Sequence, residues 1–82
     1  MNIKDKIMRL FGYENIENIL IRISYKWHPP KKEKMEQRRK FYFNYGTLYT
    51  PIILERQILK DGYTSYLIAK ENNIKYVKVV RV

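Results

Sequence analysis

Apolar positions in this chain recur with different periods in different stretches, and the period decides which element to expect. In residues 2–11, Ile3, Ile7, Leu10 and Phe11 fall at spacings of four, three and one, which is one face of a helix. Asn2 can cap it, Asp5 lies in its first turn, and Gly12 can end it. Lys4, Lys6 and Arg9 point elsewhere. The expectation is a helix packed on the core with a solvated basic side; as a membrane-surface helix it would be short. Over 19–27 the period changes to two. Ile19, Ile21, Ile23, Tyr25 and Trp27 alternate with Leu20, Arg22, Ser24 and Lys26, which predicts a strand. His28-Pro29-Pro30 stops it, because proline has no N–H to give to a ladder. Phe41, Phe43 and Tyr45 alternate with Tyr42 and Asn44, and predict a second strand over about 40–46 that pairs with the first.

The connection, 28–40, contains KKEKMEQRRK. Its six basic and two acidic residues surround one apolar side chain, Met35. It is either a helix opening at Pro30 or a long loop, and in both cases it lies outside the core. Thr50-Pro51 then reads as an N-cap with proline at the first helical position. Ile52, Ile53, Ile58 and Leu59 give a helical face that Asp61-Gly62 closes, with a strand over IILERQIL as the alternative.

The last stretch, GYTSYLIAKENNIKYVKVVRV, has two readings. Both of its halves are rich in β-branched and aromatic residues around Glu71-Asn72-Asn73, which suits a β-hairpin of 63–70 and 74–82. The same segment, counted from Pro51 to Val82, resembles the helix-turn-helix of bacterial and phage regulators, resolvases and transposases. The likeness lies in Gly62-Tyr63-Thr64, Ile68-Ala69-Lys70-Glu71, the Asn73 turn and Ile74. It implies that Thr64 caps the first helix of the motif and that Ile68 and Ala69 face the core. It also implies that Val79 and Val82 are buried in a recognition helix, and that Lys75, Tyr76, Lys78 and Arg81 face DNA. The expected fold is α+β in one small domain, 1–82. It has an N-terminal helix, a small antiparallel sheet, and either a helical or a β-hairpin C-terminus.

Composition narrows the function. Eighty-two residues bury only about 60–65% of their unfolded surface, so one modest core is expected. Lys and Arg number 17 against 8 Asp and Glu, a net charge of +9 that attracts nucleic acid, anionic lipid or an acidic protein. No cysteine is present, which excludes disulfides and thiolate metal sites. No apolar run approaches ~18 residues and no signal-peptide core opens the chain, so a cytoplasmic protein with no membrane partner is expected. His28 is the only histidine, and no nucleophile–base pair, ligand cluster or phosphate-cradling glycine loop is visible. The chain therefore reads as non-enzymatic, without metal or cofactor.

Positive charge next to aromatic rings is the remaining signal. Tyr42, Tyr45 and Tyr49 follow Arg38, Arg39 and Lys40, an arrangement in which bases stack while cations hold phosphates. The candidate binding residues are Lys31, Lys32, Lys34, Arg38, Arg39 and Lys40, with Lys75, Tyr76, Lys78 and Arg81 from the C-terminal motif. The expected function is nucleic-acid binding, DNA favoured, of phage or mobile-element type. A single recognition element would need a dimer or a partner protein for sequence specificity. The alternative is a protein-binding inhibitor or adaptor of anti-defence type, such as an anti-CRISPR, whose basic face grips an acidic or nucleoprotein surface.

Overall fold

Two stretches of alternating burial set the architecture of the computed structural model, which describes residues 1–82. Ile52 and Leu54 are buried and alternate with Ile53 and Glu55, while Val77 and Val79 are buried between Tyr76, Lys78 and Val80. Period-two burial is what a half-covered strand needs. In chain order the elements are α1 (Ile3–Leu10), β1 (Tyr13–Asn15), a 3-10 turn (Ile16–Asn18), α2 (Ile23–Trp27), α3 (Lys32–Tyr45), β2 (Ile52–Glu55), β3 (Ile58–Asp61), α4 (Tyr63–Glu71) and β4 (Tyr76–Arg81). The sheet order is β1-β4-β2-β3. β1 and β4 are antiparallel, as are β2 and β3, and β2 runs parallel to β4. The fold is α+β, with a mixed sheet in place of the expected antiparallel one. Ile16, Ile19, Ile52, Leu54, Leu59, Ala69, Val77 and Val79 form the core.

Several expected elements are replaced, each for a local reason. Residues 19–27 do not form a strand. Leu20 makes one isolated bridge to Ile58, and Ile23–Trp27 close a single helical turn. Tyr25 fixes that turn, its hydroxyl donating to the Lys60 carbonyl at 2.7 Å. Ile23 and Trp27, four apart, both face solvent, so the alternation there does not sort buried from exposed positions. The stop at His28-Pro29-Pro30 is where the sequence puts it. Residues 40–46 are not a strand either. They continue α3, and Phe41 meets Tyr45 one turn later with ring centroids 4.7 Å apart. Of the two readings of the basic segment, the helix forms, with Lys31 at its N-cap and Gly46 at φ 68 as its left-handed C-cap.

The 51–61 helix is replaced by the β2–β3 hairpin. Its turn is Arg56-Gln57, with Arg56 at φ 55, a conformation that neither residue type announces. Pro51 precedes the first strand, where no ladder N–H is required of it. The C-terminus takes half of each reading. The first helix of the expected motif forms as α4, burying Ile68 and Ala69, and Asn73 makes the turn at φ 57. Its N-cap is Gly62, while Thr64 is buried inside the first turn. The recognition helix does not form: its valine-rich sequence pairs with two other strands as β4. Val82 is exposed, and no 63–70 strand exists for β4 to pair with.

Candidate functional site

α3 carries no buried side chain and stands on the outside of the domain, joined chiefly to α4. That placement follows from its sequence for Lys32–Lys40, which carries one apolar side chain, Met35, and so has little to bury. Lys31, Lys32, Lys34 and Lys40 are exposed. Five basic residues of the chain pair with a carboxylate, namely Arg9, Arg39, Lys60, Lys70 and Arg81, and none of these four lysines is among them. Arg38 and Arg39 do structural work instead. Arg39 Nε donates to both Glu71 carboxylate oxygens at 3.0 Å, tying α3 to α4. The Arg38 guanidinium lies 3.8 Å from the Tyr49 ring centroid, and its Nε is buried with no hydrogen-bond partner.

The segment after α3 places an aromatic wall beside this helix. Gly46 turns the chain, and Thr50 is clamped to α4: Ser65 Oγ donates to the Thr50 carbonyl at 2.7 Å, and the Thr50 N–H donates to Ser65 Oγ at 3.3 Å. Tyr49 is thereby held edge-on to Phe41, centroids 5.0 Å apart. The result is a cleft of about 510 Å³ whose walls include Tyr13, Tyr42, Leu48, Tyr49, Tyr76 and Lys78. Two of the C-terminal candidates, Tyr76 and Lys78, therefore meet two of the tyrosines that follow the basic segment. A smaller cleft of about 200 Å³ between the chain before α3 and the start of α4 takes in His28, Lys34 and Thr64.

The other C-terminal candidates separate. Lys75 is exposed, its Nζ 5.7 Å from the Tyr76 ring centroid. The Tyr76 hydroxyl donates to Asp5 at 2.7 Å, a bond that pushes the phenol up to about 12. The same bond holds the Asp5 carboxyl below its usual range, against the opposing effect of burial and with help from the Asn15 and Asn18 amides and the nearby Lys75 charge. Arg81 is turned inward, donating to Glu14 at 3.1 Å and to Gln57 at 2.9 Å. Glu14 is fully buried. Burial pushes its carboxyl up, but the Arg9 guanidinium and the Gln57 amide outweigh that, and the net direction is down. Sequence reasoning missed Tyr13 as a cleft residue and Glu14 as a buried anchor. Neither has a local signal, since each is set by pairing with β4, more than sixty residues away.

No family model matches the chain, and no curated protein matches it. Among solved structures it is similar to a Pnob8-like ParB-N domain, with 27% sequence identity and a TM-score of 0.69 over 84% of this chain. The match spans 28% of that chain's length. The likeness is one of α+β fold.

Proposed function

We propose that this is a small non-enzymatic nucleic-acid-binding protein, with DNA as the favoured ligand. In this reading Lys31, Lys32, Lys34 and Lys40 of α3 and its N-cap hold the phosphate backbone, and the tyrosine cleft beside it takes bases. The observation that carries the reading is a row of exposed, unpaired lysines along α3 and its N-cap, with a cleft walled by four tyrosines and Lys78 at the C-terminal end of the same helix. A ring stacks on any base, and an ammonium free of a carboxylate partner is free for a phosphate. The roles of Arg38, Arg39, Tyr76 and Arg81 are supporting ones: they fix α3 and the cleft walls.

Fluorescence polarisation with labelled duplex and single-stranded DNA tests this. With about four phosphate contacts, affinity should fall roughly 100-fold between about 50 and 200 mM salt. Replacing Lys31, Lys32, Lys34 and Lys40 with glutamate should abolish binding and leave the fold intact, because all four side chains are exposed. Unchanged binding by that variant would remove α3 from the interface. Tyr49→Ala should weaken single-stranded DNA about tenfold, within the range for one stacked base.

A further inference from the structure

α1 is packed with its polar side inward. Asp5 is buried and accepts hydrogen bonds from Tyr76, Asn15 and Asn18, and Arg9 donates to Glu14 at 2.6–3.0 Å. The apolar face expected to meet the core faces away from it: Ile3 is 76% exposed, Ile7 48%, Leu10 85% and Phe11 70%. At about 100° per residue these four side chains occupy an arc of about 100°, with Lys4 on one flank and Lys6 on the other. Such a stripe left bare is an interaction surface by its size and continuity.

We propose that this face of α1 docks on an anionic lipid surface, with the helix lying in the headgroup plane. Charge complementarity selects that occupant. Asp5 is the only acid of α1 and it is turned inward, so the apolar stripe is bordered by lysines alone. Lys75 extends the border, because Lys4 and Lys75 lie 5.5 and 5.7 Å from the same Tyr76 ring. A second copy docking through the same face would bring these lysines against their own kind. An apolar face flanked by cations is the composition that inserts at the headgroup boundary of acidic bilayers. Position permits it. α1 packs chiefly on β1, the edge strand of the sheet, so a flat surface can approach. The helix is too short to cross a bilayer, and no helix of the chain is long and apolar enough to do so. The inference revises the expectation of no membrane partner, and it uses residues separate from those of α3.

Flotation with vesicles tests it. The protein should float with vesicles of phosphatidylcholine plus phosphatidylserine and bind vesicles of phosphatidylcholine alone at least about tenfold more weakly. The double variant Ile7→Ser/Leu10→Ser keeps every charge, so a loss of about tenfold or more reports apolar insertion. Its thermal midpoint and its DNA affinity should stay at wild-type values, since both side chains face solvent. No binding to phosphatidylserine vesicles would overturn the proposal. Equal binding by wild type and variant would overturn it too, because adsorption by charge alone would then explain the result. Self-association in sedimentation that the double variant abolishes, without vesicle binding, would give the face to a second copy.

Discussion

Glu14 is the side chain whose environment departs furthest from its residue type. It is fully buried, yet Arg9 at 2.6 Å and Arg81 at 3.1 Å both reach it, and Gln57 and the Asn15 N–H also donate to it. Through it the first and last strands and the β2–β3 turn share one anion. A buried carboxylate is tolerated only when its lone pairs are filled, and here they are. Glu14→Gln keeps the shape but points two guanidiniums at a neutral amide. We expect a loss of about 3 kcal/mol, at the low end for breaking a buried pair because both arginines are about one-third exposed. Urea unfolding should show a lower midpoint with an unchanged slope. Arg81→Met leaves Arg9 in place and should cost no more than about 1 kcal/mol. If the two variants proved equal, Glu14 would not be the shared anchor.

At the scale of elements, Gly62 carries the junction that makes this fold mixed. It ends β3, caps α4 at φ 89, and packs so closely that a Cβ would strike the Pro51 carbonyl oxygen and come within 2.9 Å of the Ile52 Cα. Gly62→Ala therefore meets both a disfavoured conformation and rigid backbone, and should cost about 3 kcal/mol or more. Gly12→Ala is strained by its φ of 84 but has open space around it, so it should cost only about 1 kcal/mol. Parallel chemical-denaturation curves of the two variants check the contrast. The same junction explains what the sequence made legible. Asp61-Gly62 reads correctly as a boundary and Asn73 as a turn, because these depend on neighbours within a few residues, while the burial of Ile68 and Ala69 was expected only from the resemblance to a helix-turn-helix. The strand at 76–81 and the helix over 40–45 are set by partners elsewhere. Val77 and Val79 gain two flanking strands, and Phe41 gains Tyr45 and Tyr49. The candidate lysines of α3 were legible as exposed from composition alone. The cleft was not, because Tyr13, Tyr42, Tyr49 and Tyr76 come from four separate elements and loops.

For the whole molecule, the attachment of α1 makes stability depend on pH at both ends. Asp5 and Glu14 have folded values below their unfolded ones, so their contribution is complete above the ordinary carboxylate range near pH 4 and is lost as pH falls through the lower folded values. Tyr76 has the opposite sign. Its folded value is raised to about 12, so its contribution is complete below the ordinary phenol value of 10.0 and is lost as pH rises through about 12. The Asp5–Tyr76 bond thus has a plateau from about pH 5 to about pH 10, and leaving it at either end should free α1 first. Thermal melts by circular dichroism across that span should show a flat top with falls on both sides. Tyr76→Phe should remove the fall that belongs to this phenol, and Asp5→Asn should flatten both arms. Hydrogen exchange at residues 3–10 should quicken in both variants at neutral pH while α4 stays protected. Exchange that quickened equally in α1 and α4 would mean the bond supports the whole fold rather than the seating of one helix. An apolar face loosened in this way would also lose its fixed orientation, so Tyr76→Phe should weaken vesicle binding without changing a single charge at neutral pH.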